Sequence, residues 1–386
     1  MKDRETSHLK NNTSGRIWSS LAAKSLSALG FVSLVICGVL IGCGHASQTS
    51  QPDADIAPQH LIMFSFLKAP LPASGQTALR VDLGRRLYYD AHFSVNGSVS
   101  CNSCHQLDKY GVDPGKPVSF GHNNKPGSRN SPTVYNAGLQ FAQFWDGRAP
   151  TLAAQASGPM MNPVEMGMSG PDAVLAYVRS RPDYVRQFHV AYPAVKDPIT
   201  LDNMTDAIAV FEAGLLTPAR WDQYLAGDTA ALTEPEKQGL RVFLRSGCAS
   251  CHAGIDMGGN SYEQLGAVRN WPDRSDLGRV GVTHLASDTL YFKVPTLRNV
   301  EMTGPWFHNG QVRTLDEAVR LMARYEAGEH LSDADVHSIV VFLHSLTGEI
   351  PQQYIQQPST SAAAKDGSAG PAKTRSTLIS TTKEGQ

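Results

Sequence analysis

Two short segments decide what this chain can fold into: Cys101-Asn102-Ser103-Cys104-His105 and Cys248-Ala249-Ser250-Cys251-His252. Each reads C-x-x-C-H. Two cysteines at this spacing lie on one side of a helical turn, and the next residue projects its imidazole beside them. That is the attachment pattern of a c-type haem, in which both thiols bond the porphyrin and the histidine ligates the iron. A thioredoxin-like thiol pair has no use for the histidine, and a zinc half-site expects a second ligand pair. In a chain with six cysteines and 13 histidines, two such motifs are not an accident of composition. The chain is expected to carry two covalent haems and to be built around them.

The other two cysteines, Cys37 and Cys43, lie near the N-terminus. None is left for a structural disulfide. Residues 1–45 read as a signal, lipoprotein or membrane-anchor segment. Lys2, Arg4, Lys10, Arg16 and Lys24 outnumber Asp3 and Glu5, and residues 25–52 carry no Lys, Arg, Asp or Glu. The apolar run over 26–42 suits the h-region of a secretory signal, because a spanning helix needs roughly 20 such residues. Leu40-Ile41-Gly42-Cys43 resembles a bacterial lipoprotein box, which would make Cys43 the lipidated first residue of the mature chain. Covalent haem attachment takes place outside the bacterial inner membrane, so the expected location is the periplasm, with a membrane tether through the N-terminus. The net charge of −1 gives no electrostatic footprint for nucleic acid.

Residues 46–75, rich in Gln, Pro, Ala and Ser, read as a linker, and 351–386 as a disordered tail too poor in apolar residues to repay ordering. Between them the chain repeats itself. Leu79, Leu83, Leu87 and Tyr88 form a helical stripe before the first haem motif. Before the second, Thr233 and Glu236 form a capping box, followed by Leu240, Phe243 and Leu244. Each unit also closes on a helix: one through Ala207, Val210 and Phe211, the other through Val336, Ile339, Val340 and Leu343, capped by Ser332 and stopped by Gly348. Strand signals are few, the best being 290–294. The expected fold is mainly α, with two cytochrome c-like domains over 76–218 and 219–350. The long loops over 110–171 and 253–313 exceed what holding a haem requires, and such loops are usually functional.

Several loop motifs resemble the bacterial di-haem cytochrome c peroxidase family. They are Arg129-Asn130-Ser131-Pro132-Thr133, Phe144-Trp145-Asp146-Gly147-Arg148-Ala149, Gln155-Ala156 and Gly158-Pro159 through Asn162-Pro163-Val164-Glu165-Met166. Val294-Pro295-Thr296-Leu297-Arg298-Asn299-Val300 and Phe307-His308-Asn309-Gly310 continue the match. Pro305-Trp306-Phe307 departs from it, since the family commonly has Tyr before the Phe. The resemblance implies that the 76–218 domain holds the peroxidatic haem on His105, and that the 219–350 domain holds the electron-transfer haem on His252. It implies Trp145 between the haems. It also implies a calcium ion held by Asn130 and the carbonyls of Thr303 and Pro305, ligands of the hard oxygen type that calcium prefers. In the family, the position of His122 supplies a removable sixth ligand to the peroxidatic iron. Hydrogen peroxide would be the substrate, a small periplasmic cytochrome c or cupredoxin the electron donor, and a homodimer a possible assembly.

The chemistry can be argued from the residues as well. Reducing peroxide to water needs an open iron face, an acid–base group for the leaving oxygen, and a polar group that orients the peroxide. Glu165, among Pro163, Val164, Met166 and Met168, suits the acid–base role with a pKa raised by desolvation. Gln155 would orient the peroxide. A methionine as the sixth ligand of the second haem would close its iron and raise its potential. Met322, on the stripe Leu315, Val319, Met322, Tyr325, is favoured by family position over Met302 and Met257, although a methionine on such a stripe is often plain core. Two other functions compete. One is a di-haem enzyme that oxidises tryptophans of a partner protein, whose relatives carry Tyr where this chain has Met322. The other is a non-catalytic di-haem carrier, against which Gln155 and Glu165 count.

Overall fold

In the computed structural model, residues 56–358 are described. The expectations for residues 1–45, Cys43 included, and for 359–386 lie outside them. Among the described residues no helix is long and apolar enough to cross a membrane.

The two lead-in helices form where their apolar spacing requires. Helix α1 (Gly75–Tyr89) buries Leu83, Leu87 and Tyr88, while Leu79 at its start stays 40% exposed. Next come α2 (Cys101–Cys104), α3 (Leu152–Met161), α4 (Pro171–Arg179), α5 (Pro182–Ala191), α6 (Leu201–Ala213) and α7 (Arg220–Leu225). Helix α8 (Glu234–Arg245) starts at the Thr233–Glu236 capping box read from the sequence. After α9 (Val280–Thr283) come α10 (Leu315–Met322), capped by Thr314, and α11 (Asp333–His344), capped by Ser332. The only sheet among the described residues pairs β1 (Tyr262–Gln264) antiparallel with β2 (Tyr291–Lys293), so the fold is mainly helical.

A glycine sits at the centre of each principal helix crossing. A Cβ on Gly84 of α1 would come 1.9 Å from the Ala207 carbonyl oxygen of α6, and one on Gly239 of α8 would come 1.9 Å from that of Ser338 of α11. Backbones this close leave no room for a side chain. The lead-in helix of each haem motif thus crosses the closing helix of its unit in the same way. The apolar clusters follow the same division. One gathers buried residues from Trp221 to Leu346, together with Ile56 and Phe64. The other two draw on 81–215, with Ile355 added.

Three expectations need correction. Residues 56–67, within the expected linker, strap onto the later part of the chain: Phe64 bridges Gly254, Gly254 N–H donates to Met63 O at 2.9 Å, and Leu67 N–H donates to Asp222. Residues 352–355, within the expected tail, form α12 (Gln352–Ile355), where Ile355 is buried and its carbonyl accepts from Tyr89 Oη at 2.7 Å. Both segments gain through tertiary contacts what their composition does not offer. Finally, α11 ends at His344, before Gly348, which instead packs against the Thr217 carbonyl and donates to Asn299.

Candidate active site

Helix α2 is a single turn, stabilised where Ser100 N–H donates to Ser103 Oγ at 3.0 Å. His105 follows it, and its N–H donates to Cys101 O. Its ring Nδ1 lies 2.9 Å from Pro132 O and 3.4 Å from Gly111 O. A carbonyl can only accept, so Nδ1 carries the proton and Nε2 is left bare, as an iron ligand requires. Burial lowers the pKa of His105, which keeps the ring neutral. The second motif forms a 3₁₀ turn, Cys248–Ser250. There His252 Nδ1 lies 3.3 Å from Met257 O, and burial pushes its pKa down to about 4. The four cysteines of the two motifs are free of disulfides. Thiol pairs beside a neutral, oriented imidazole fit two covalently attached haems.

A cavity of about 240 Å³ opens between α3 and the loops on either side, lined in part by Phe144, Arg148, Ala154, Pro159, Asn162 and Glu165. Desolvation raises the pKa of Glu165, against the opposing pull of Arg148 and a hydrogen bond from Asn162. A carboxyl so placed holds a proton more readily than a solvated one and can deliver it into the cavity. Arg148 had no role assigned from sequence. Its guanidinium lies 3.4 Å over the Phe144 ring and pairs with Asp146 at 3.0 Å, which places a fixed positive charge at the cavity wall. Its position in the Trp145-Asp146-Gly147-Arg148 motif was the available signal. Gln155 is half-buried on α3, one residue beyond Ala154, without itself lining the cavity.

His122 meets the same loop as Glu165. Its N–H donates to Glu165 O at 2.8 Å, and its ring Nε2 lies 3.2 Å from Pro163 O. A side chain on Gly167 would collide with this ring. The His122 and Glu165 loops are therefore fastened together by backbone and ring.

Trp145 joins the earlier and later parts of the chain. Its Nε1 donates to Asn130 O at 2.9 Å, its carbonyl accepts from Lys293 N–H at 2.8 Å, and its ring stands 6.4 Å from that of His308. Asn130 N–H donates to His308 O at 2.8 Å, and its Nδ2 to Pro117 O at 3.1 Å. Arg129 clamps the same seam, bonding Asp146 and, through two nitrogens, Asp276 at 2.6 and 2.9 Å. Thr303 and Pro305 belong to the loop that leads to His308. Among the described residues no three His, Cys, Asp or Glu side chains gather around a metal position, so any cation there would depend on amide and carbonyl oxygens.

Met322 is half-buried at the end of α10, where a π-turn (Ala323–Ala327) begins. Single π-turns often mark functional positions. Met302 is 45% exposed, and Met257 is wholly buried in the core of the later cluster.

Known proteins resemble the chain over most of this framework. Residues 78–230 match the family model described as di-haem cytochrome c peroxidase. A cytochrome c551 peroxidase of Pseudomonas aeruginosa is 45% identical over 277 residues, covering 70% of this chain and 79% of its own. A cytochrome c peroxidase of Escherichia coli is 43% identical over 76% of this chain, which spans only 63% of that longer relative. The crystal structure of a MauG-like protein associated with microbial copper homeostasis matches at 26% identity with a TM-score of 0.65, covering 76% of this chain and 96% of its own. The motifs, the helical framework and these likenesses agree, and the chain belongs to the di-haem cytochrome c peroxidase family.

Proposed function

We propose that the protein reduces hydrogen peroxide to water (H2O2 + 2e⁻ + 2H⁺ → 2H2O), with electrons from a small cytochrome c or cupredoxin in the periplasm. The observation that carries this reading is the cavity in which Glu165, its pKa raised, faces Arg148 and Phe144. When bound, the two c-type haems supply an iron that takes up peroxide and an iron that stores an electron.

The chain's own residues then divide the work. His105 and His252 would ligate the irons, each imidazole oriented by a backbone carbonyl. Glu165 holds a proton at its carboxyl and gives it to the departing oxygen. Arg148 stabilises negative charge on that oxygen, and Gln155, on α3 beside the cavity-lining Ala154, would have to turn toward the peroxide to orient it. Met322 would be the ligand that closes the second haem's iron. Trp145 lies on the electron route between the two domains, 76–218 and 219–350, a division supported by the segregated apolar clusters and the paired helix crossings.

His122 would serve as a removable ligand of the first iron. Its ring nitrogen is engaged with Pro163 O in the conformation described, so ligation requires that bond to break. Asn130 with the carbonyls of Thr303 and Pro305 would hold calcium at the seam, an assignment supported by the bond between Asn130 and His308 O. The N-terminal segment would tether the protein through Cys43. The peroxidase reading is preferred over tryptophan oxidation because residue 322 is methionine, and over a carrier because Glu165 faces a cavity. Steady-state turnover of peroxide with a reduced small cytochrome c tests it, as isolated and after half-reduction. Donor oxidised two for each peroxide supports the reading, and no turnover in either state sinks it.

A further inference from the structure

Away from the peroxide cavity, a buried polar bridge crosses the same seam as Trp145. Asp256 is 1% exposed and Lys293 7%, and Gln140 stands between them. The orientation of Gln140 is fixed by its neighbours. An ammonium can only donate, so Gln140 Oε1 accepts from Lys293 Nζ, and Nε2 donates to Asp256 Oδ2 at 2.9 Å. The other carboxyl oxygen, Oδ1, lies 2.9 Å from Thr296 Oγ1, which also lies 2.7 Å from the Asp256 backbone carbonyl. That hydroxyl already accepts from Arg298 N–H at 3.0 Å.

The proton count is informative. One hydroxyl hydrogen cannot serve both Asp256 oxygens. With a proton on Oδ1, Asp256 donates to Thr296, Thr296 donates to the carbonyl, and every group is satisfied. With Asp256 ionised, one acceptor loses its donor. Protonation of Asp256 therefore changes the hydrogen-bond pattern as well as the charge. The charged groups facing Asp256 are Arg298 and Lys293. Arg298 is already matched by Asp222 through bonds of 2.7 and 2.8 Å, which leaves Lys293 as the cation that responds to Asp256. Burial pushes Asp256 up to about 7 and Lys293 down to about 8, so the bridge exchanges protons near neutrality.

Both ends touch working parts. Met257, next to Asp256, gives its carbonyl to His252 Nδ1, and Lys293 N–H donates to the Trp145 carbonyl. Phe141, beside Gln140, donates its N–H to Gly259 O at 3.0 Å.

We propose that Asp256, Gln140 and Lys293 form a proton-linked positioning bridge, through which the oxidation state of the second haem is felt at the Trp145 segment. As one electron from the donor enters that haem, the Asp256 carboxylate takes one proton from solvent. The added charge is balanced, Asp256 Oδ1 becomes the donor in its bond to Thr296, and the attraction that Asp256 exerts on Lys293 across Gln140 weakens. The proposal rests on the reading of His252 as the ligand of that haem.

The test is the reduction potential of the second haem in the holoprotein, followed by its own spectrum from about pH 5 to about pH 9. Reduction raises the proton affinity of Asp256. The wild-type potential should therefore fall with rising pH across a window near neutrality and flatten on either side. Asp256→Asn should abolish this slope, and Asp256→Glu should restore one. Lys293→Met removes the facing cation and should move the window to higher pH. An Asp256→Asn protein that keeps the wild-type slope overturns the proposal. Where Asp256→Asn fails to retain haem, an unmoved window in Lys293→Met overturns it equally. A wild-type second haem lacking a histidine–methionine spectrum would contradict the ligand reading instead, and the slope would still decide the bridge.

Discussion

The turn at Cys101–Cys104 is helical and held by Ser100 and Ser103, while the turn at Cys248–Ser250 is 3₁₀ and rests on Gly247 in the left-handed region. Around the first, the chain runs on through long loops to Phe144, Arg148 and Glu165, which wall a cavity. Around the second, it returns through a dense apolar cluster to α10 and Met322. Each histidine is oriented by a carbonyl, and each lead-in helix crosses its closing helix at a glycine. What differs lies beyond the duplicated scaffold. A common device orients both motif histidines, and on the proposed reading the loops decide which haem would meet substrate.

The largest effect expected from this contrast follows from removing one carboxyl from each part. Glu165→Gln should lower kcat by about 10²–10⁴-fold, the usual worth of a positioned acid, with haem content unchanged. Glu326 in the later part is also a carboxyl raised by burial, but its oxygens are occupied by Gly266 and Ala267 N–H. Glu326→Gln should leave kcat within about threefold of wild type. The pH profile has a definite sign. A group that must be protonated to act, with a raised pKa, sustains activity below that pKa, and activity falls as pH rises through it. A profile that rises there would contradict the acid role.

The scaffold itself should break symmetrically. Gly84→Ala and Gly239→Ala each place a methyl against a carbonyl oxygen at 1.9 Å. Each should cost about 2–3 kcal/mol by overpacking, read as a lowered Tm in the holoprotein. A loss at one site only would show that the two crossings are not equivalent.

The smallest effect concerns the second haem alone. Met322→His should lower its reduction potential, because imidazole stabilises the oxidised iron better than a thioether does. Met302→Leu, at an exposed position, should leave it unchanged. Loss of the methionine–iron signature in Met302→Leu and its survival in Met322→Leu would reverse the assignment.

Much of the scaffold was legible because it rests on local rules. The haem motifs, the caps at Thr233 and Ser332, and the raised pKa of Glu165 all follow from neighbours in sequence. The 56–67 strap and α12 were not legible, since each is held by partners far along the chain: Phe64 by Gly254, and Ile355 by Tyr89. Gly84 and Gly239 look like blemishes in a helix until the crossing partners are known. The Gln140–Asp256–Lys293 bridge shares this limit. Charged residues in loops are usually solvated, and only the tertiary fold buries Asp256 against Thr296 and Gln140.

The central claim, that one haem is open to substrate and the other closed, is tested most directly by titrating the half-reduced holoprotein with cyanide and counting equivalents bound. The account predicts one cyanide per chain, at the haem of His105, and the same single equivalent without prior reduction in His122→Gly. Two equivalents, or one bound at the haem of His252, would contradict it.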